Sequence, residues 1–305
     1  MLSTILVPLD GSPLAERALP FAERLARGTK ARLVLTRVVP ISRLPNVEET
    51  VATAAQEYLE RIASCLAGTG LISQTALLHG EPPTEILEAA HIHSADLVIM
   101  CTHGRSGIGR WLYGSVADAV IRLATLPVML VPPELSVVWA ANEPARILVP
   151  LDGSELSEMA LGPAAELASC LGAELLLTQV VPWPPIVYGD PVELLPYEPE
   201  EQLAEARSYL DEVAARLRQS GARVRHREDV AQTPAAAIVR LVQEEHVDLV
   251  AMATHGRNGL ARVVLGSTTT GTLQRADVPL LVVRPTGLPV VDPPIQADTR
   301  ALADG

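Results

Sequence analysis

Aromatic residues are nearly missing from this chain: nine among 305, with Phe21 the only phenylalanine. Single-stranded nucleic acid is held on rows of such rings, so a base-stacking platform is disfavoured from the start. Cysteine is scarce as well. Cys65, Cys101 and Cys170 are unevenly spaced and form no Cys-x-x-Cys pair, which removes a disulfide framework and a thiolate metal site and fits a reducing compartment. No apolar run approaches the roughly 20 residues that span a bilayer. The start, Met1-Leu2-Ser3-Thr4, enters a strand pattern with no basic leader segment, so a soluble cytoplasmic protein without a membrane partner is expected. Positive charge is also in deficit. Against 36 Asp and Glu stand 24 Lys and Arg, a formal charge of −12, and nucleic acid is not an expected partner. A local phosphate site survives this argument, because main-chain amides at a helix N-terminus hold anions without net positive charge.

Several chemistries lack their motif. Gly-x4-Gly-Lys-Ser/Thr is absent, no Gly-rich dinucleotide fingerprint follows the first strand, and no Gly-x-Ser-x-Gly elbow occurs. His91 and His93 are two apart, so on a helix they diverge and cannot chelate one metal ion. No general base or nucleophile stands out, so no catalytic residue and no metal ligand is assigned. Any hydrolysis is expected to be slow.

What is present is a duplication. Ile5-Leu6-Val7-Pro8-Leu9-Asp10-Gly11-Ser12 returns 142 residues later as Ile147-Leu148-Val149-Pro150-Leu151-Asp152-Gly153-Ser154. Thr102-His103-Gly104-Arg105 returns 152 residues later as Thr254-His255-Gly256-Arg257, and Gly114-Ser115 as Gly266-Ser267. The ten-residue difference falls in the Pro-rich stretch 182–191. A period this long marks two domains rather than a solenoid, here residues 1–133 and 145–285. Pro-rich residues 132–144 read as a linker and 286–305 as an extended or disordered tail.

With so few rings, Ala, Val, Ile and Leu must fill the core, as in sheets covered by helices on both faces. Strands are predicted at 4–9, 32–39, 71–78, 96–101 and 128–131, and helices at 14–26, 47–66, 82–93 and 115–124. The second half repeats the order, with strands at 146–151, 174–181, 223–228, 248–253 and 280–283 and helices at 156–171, 200–220, 234–245 and 267–276. Strict alternation predicts an α/β fold with a parallel sheet and right-handed crossovers.

Such sheets bind ligands beyond the carboxyl ends of their strands. Two segments of each half lie there: Asp10-Gly11-Ser12 and Asp152-Gly153-Ser154 after strand one, and 102–115 and 254–267 after strand four. In the latter, Gly104, Gly107 and Gly109 permit sharp turns and close approach. Gly114-Ser115-Val116 and Gly266-Ser267-Thr268 then open a helix suited to an anion, with Arg105 and Arg257 as counter-charges. The plain alternatives are connecting loops, N-capping serines and Asx turns. His103 and His255 either donate to a phosphate or anchor the turn. Cys101 reads better as an inert buried thiol than as a redox site.

These residues resemble the universal stress protein family, over 2–132 and 145–285. Its ATP-binding members carry Gly-x2-Gly-x9-Gly-Ser/Thr around the nucleotide phosphates. Gly104-x9-Gly114-Ser115 and Gly256-x9-Gly266-Ser267 match, while Cys101 and Ala253 replace the first glycine; a positive φ there would strain either side chain. The resemblance implies two Rossmann-like domains of the adenine nucleotide alpha hydrolase kind, each with five strands in order 3-2-1-4-5. It places Asp10 and Asp152 in the adenosine pocket and the main chain of Val38 and Val180 beside adenine. Either Asp can accept from ribose hydroxyls or join the phosphates around Mg²⁺. It further implies that the last strands, 128–131 and 280–283, pair across a twofold-like axis within the chain, with a homodimer or an unidentified protein as further partner. The expected function is a stress-response protein that binds ATP or a related adenine nucleotide in one or both halves. A dimerising scaffold without nucleotide and a slow ATP hydrolase are the alternatives.

Overall fold

The computed structural model of the chain describes residues 2–41, 45–102, 114–135, 139, 145–183, 199–254 and 265–284. The first half runs β1 (Thr4–Pro8), α1 (Leu19–Thr29), β2 (Arg32–Val39), α2 (Pro45–Gly68), β3 (Ser73–His79), α3 (Pro82–Ile92), β4 (Leu97–Cys101), α4 (Ser115–Leu123) and β5 (Val128–Val131). The second runs β6 (Arg146–Leu151), α5 (Glu155–Glu158), α6 (Leu161–Leu171), β7 (Glu174–Pro182), α7 (Pro199–Gln219), β8 (Val224–Ala231), α8 (Pro234–Glu244), β9 (Leu249–Ala253), α9 (Ser267–Leu273) and β10 (Leu280–Val283). All ten strands join one sheet, in the order β3-β2-β1-β4-β5-β10-β9-β6-β7-β8. Each half therefore has the order 3-2-1-4-5 with parallel neighbours, and the single antiparallel junction among these strands is β5 against β10.

That junction explains the mirror order. Leu281 pairs with Met129, flanked by Leu280 with Leu130 and Val282 with Val128. Met129 and Leu281 are 152 residues apart and occupy the same place in the repeat, so the twofold relation passes between them. Each short apolar edge is covered by the other, which removes two edges that would otherwise invite pairing with a foreign strand.

Side chains alternate across the pleat, and the core divides accordingly. Ile5, Val7, Leu33, Leu35, Ile99 and Met129 face the layer of α1, α2, α6 and α7 together with Ile147, Val149, Leu175 and Leu177. Leu6, Val34, Val98, Leu130, Leu148, Leu176 and Val250 face the layer that includes Ile86, Val120, Ile238 and Leu273. Both clusters draw residues from both halves. The layers pack closely across the repeat: a Cβ on Gly28 of α1 would stand 2.8 Å from the carbonyl oxygen of Cys170 in α6.

Two predicted helices are broken near their starts. Residues 14–26 form a 3-10 turn, Ala15–Ala18, before α1, and 156–171 divide into α5 and α6. Pro20 and Pro163 supply no N–H to the α-helical ladder, and each ring would collide with the carbonyl four residues earlier, so the coil re-forms around them. The helix predicted at 267–276 ends at Leu273. The residues read as a linker include Trp139, whose indole donates to the Asp248 carbonyl at 3.1 Å and whose ring meets Phe21 edge-on at 4.8 Å. One side chain thus ties α1 to the entry of β9. The predicted tail at 286–305 lies outside the described residues. Among those described, no helix is long and apolar enough to cross a membrane.

Candidate functional site

The site begins with a proline inside a strand. Leu9 donates its N–H to Thr36 of β2 at 2.8 Å, so Pro8, one residue earlier, faces β4 and has no N–H to offer. The β1–β4 pairing stops at Leu6↔Val98, although β1 continues to Pro8 and β4 to Cys101. The second half copies this: β6–β9 pairing stops at Leu148↔Val250, two residues before Pro150. In both halves strands one and four separate where strand order reverses, which is where α/β sheets take ligands.

Asp10 and Asp152 form the rim of this opening. Ser12 N donates to Asp10 Oδ1 at 2.8 Å, and Ser154 N to Asp152 Oδ1 at 3.0 Å. Gly11 and Gly153 between them adopt φ values of 85° and 81°, a left-handed conformation that favours glycine. Ser12 Oγ then accepts from Ala15 N at 3.1 Å, and Ser154 Oγ from Ser157 N at 3.2 Å. The Asx-turn reading of both aspartates and the N-cap reading of Ser154 are therefore correct, whereas the turn after Ser12 has Leu14 at its N-cap and Ser12 only bonds into it; both turns act at the mouth of the crevice.

Opposite them, Gly114 N donates to the Thr102 carbonyl at 2.7 Å and Gly266 N to the Thr254 carbonyl at 2.9 Å. Each bond closes the loop that leaves β4 or β9. A Cβ on Gly266 would stand 2.7 Å from the Thr254 oxygen, so only glycine fits without displacement. The first intrahelical bonds come from Asp118 N to Gly114 O and from Thr270 N to Gly266 O. Ser115, Val116 and Ala117, like Ser267, Thr268 and Thr269, thus lie in first turns whose N–H groups have no intrahelical acceptor. Ser115 and Ser267 are exposed, and Val116 and Thr268 half-buried. The loop residues Gly104, Arg105, Gly256 and Arg257, with His103 and His255, lie outside the described residues.

Val38 and Val180 complete the surround. In a parallel ladder both main-chain groups of a residue face the same neighbour. Thr36 faces β1 and Val39 faces β3, accepting from Gly80 N at 3.2 Å, so Val38 turns its N–H and C=O to the β1 side, past Leu9. Val180 stands likewise one residue beyond the last β6–β7 pair, Leu151↔Gln179. A planar ring inserted at the mouth would meet one donor and one acceptor there.

The model of the universal stress protein family matches this chain twice, over residues 1–132 and 144–284. This chain belongs to the universal stress protein family. A universal stress protein of Mycolicibacterium smegmatis is 30% identical over 298 residues, covering 92% of this chain and 97% of the relative. One of Mycobacterium tuberculosis is 29% identical over the same length. The fold is shared with a crystal structure of a universal stress protein from Archaeoglobus fulgidus, at a TM-score of 0.72 and 21% identity over 92% of this chain and 98% of that one.

Within the family motif, the replaced first glycine causes no backbone strain. Cys101 and Ala253 both end strands and are not among the residues with positive φ. The Cys101 thiol turns inward and donates to the Leu14 carbonyl. Burial foremost pushes its pKa up to about 12, so it is a neutral thiol at physiological pH and a poor nucleophile. Among the described residues no cluster of three or more His, Cys, Asp or Glu is placed to hold a metal ion.

Three features of the site were not singled out in the sequence. Pro8 and Pro150 were visible in the repeat, but their effect depends on which neighbour they face. Arg37 lies with its guanidinium 3.0–3.1 Å from where a Gly11 Cβ would be, and 5.0 Å from the centre of the Tyr58 ring. Gln179 occupies the same place in the second half, and its Oε1 is buried without a hydrogen-bond partner. The 142-residue offset would have aligned Arg37 with Gln179.

Proposed function

We propose that this universal stress protein binds an adenine nucleotide, foremost ATP, in the crevice at the carboxyl end of the sheet in one or both halves, and acts as a nucleotide-dependent regulator or scaffold. The observation that carries the reading is the twice-built opening between strands one and four, walled by an Asx turn on one side and a glycine-started helix on the other. In it, the main chain of Val38 or Val180 would receive adenine, Asp10 or Asp152 the ribose hydroxyls, and the first-turn amides after Gly114 or Gly266 the phosphates. Ser115 and Ser267 would add a hydroxyl donor. Arg105 and Arg257 would supply counter-charge from the loops, and Gly11, Gly153, Ser12 and Ser154 hold the aspartates in place. Any Mg²⁺ would arrive with the phosphates, since each Asp already spends one oxygen on its own turn.

Protein purified without added ligand and extracted with acid is expected to release adenine nucleotide, and ATP is expected to raise its melting temperature by linkage. Absence of both effects would exclude nucleotide binding. A second reading, a partner-binding scaffold that needs no nucleotide, is favoured by Asp10, Asp152, Ser12 and Ser154 all having structural bonds of their own. On that reading, protein stripped of nucleotide captures its partner as well as nucleotide-loaded protein does.

A further inference from the structure

The two crevices are built from one plan but differ in the side chain beside the aspartate. Arg37 and Gln179 are equivalent positions on β2 and β7, and Gln179 pairs in register with Leu151, the residue before Asp152. In the first half the guanidinium lies between Gly11 and the Tyr58 ring, an arrangement that combines close backbone approach with cation–π contact. Arg61 lies over the same ring at 5.2 Å. The first aspartate turn therefore stands beside a fixed positive charge. In the second half the equivalent position holds the neutral Gln179. Tyr209, the counterpart of Tyr58, gives its hydroxyl to Glu158 at 3.0 Å, and Arg216 binds the other oxygen of Glu158 at 2.6 Å. These groups are satisfied by each other, which leaves the Gln179 Oε1 buried and without a partner. A buried acceptor left unmade costs about 1–3 kcal/mol, and a donor from a ligand would remove that cost.

We infer that the two halves select different ribose edges: the second takes an adenine nucleotide whose 2′ and 3′ hydroxyls are free, and the first takes one that carries a further phosphate on that edge. This rests on the reading that Asp10 and Asp152 meet the ribose. Two hydroxyls are two donors, and Asp152 with Gln179 offers two acceptors. In the first half a donor-only guanidinium replaces the second acceptor, and a guanidinium fits phosphate oxygens in a fork geometry.

The test compares adenosine 5′-monophosphate with adenosine 2′,5′-bisphosphate, which differ only in the 2′-phosphate. Calorimetric titration of the full chain is run on wild type, Arg37→Gln, Arg37→Lys and Gln179→Arg. The wild type is expected to show one site preferring each probe. Arg37→Gln should weaken bisphosphate binding by about tenfold and Gln179→Arg should weaken monophosphate binding by about tenfold, as expected for losing one hydrogen bond to a charged or buried group. Arg37→Lys keeps the charge and should retain the bisphosphate preference, which separates the charge from any loss of packing. A wild type that binds the probes with a preference unchanged in all three variants overturns this inference alone. A wild type that binds neither overturns the nucleotide reading along with it.

Discussion

At the entry to β4, Asp96 Oδ2 accepts three bonds, from Ser3 N at 2.7 Å, Ser3 Oγ at 2.8 Å and Thr4 N at 2.9 Å. Asp248 repeats the device toward Arg146 N at 2.7 Å. Burial works against the charge on Asp96, but the donors from Ser3 and Thr4 outweigh it and hold the carboxyl below its usual range. A depressed folded pKa contributes stability that is present above the unfolded value and lost as pH falls through the folded one. Denaturant titrations are therefore expected to show stability falling below about pH 4, the unperturbed carboxylate range. Asp96→Asn should be less stable than wild type at pH 7 and converge with it in acid; a constant gap across pH would contradict this account. Single residues also show where sequence reading stops. The replacement of a motif glycine by Cys101 was evident in the letters, but its consequence depended on φ, which the letters do not state. Arg37 likewise looks like any strand arginine until its ring partner, Tyr58 on α2, is placed.

Elements were legible where periodicity was strong and less so at their ends. Strands β2, β5, β6 and β10 fall at the predicted bounds, and the order of every strand and helix was as read. Helix starts went astray at Pro20 and Pro163, because apolar spacing continues through a proline that the hydrogen-bond ladder cannot cross. Helix α9 is short for a packing reason as well: a Cβ on Gly271 would lie 2.9 Å from the Ala235 side chain, so the α8–α9 contact requires glycine, a residue that weakens helices. At the head of α9, Gly266 is fixed by the Thr254 carbonyl. Gly266→Ala is expected to destabilise the protein by about 1–3 kcal/mol through overpacking, read as a lower denaturant midpoint at unchanged slope. The outer strands differ in a way composition hid. On β8, Arg225 and Arg227 pair with Glu174, Glu244 and Glu245 at 3.0–3.3 Å. Charges of this kind discourage edge-to-edge association, while β3 carries Ser, Gln, Thr and Ala in the corresponding run.

The whole molecule is more unified than a two-domain sequence suggests. The duplication could be read directly, while the strand order and the β5–β10 junction followed from the family resemblance. The tie through Trp139 could not, because nothing in a Pro-rich connector announces an indole packed against the core. Both core clusters include residues from both halves, so thermal unfolding is expected as one transition, with calorimetric and van't Hoff enthalpies in agreement. Two resolved transitions would show that the halves melt separately. Trp139→Ala should cost about 3 kcal/mol, the low end for truncating a packed tryptophan since this one is only partly buried, and it should loosen the coupling seen in that melt.

The Met129–Leu281 contact sits on one polypeptide, and a tether of this kind holds its two ends at an effective concentration on the order of millimolar. Separate chains meeting through such strands would drift apart as the cell made fewer of them. Here the ten-stranded arrangement persists at a single copy, so abundance can vary widely without changing which architecture a ligand encounters.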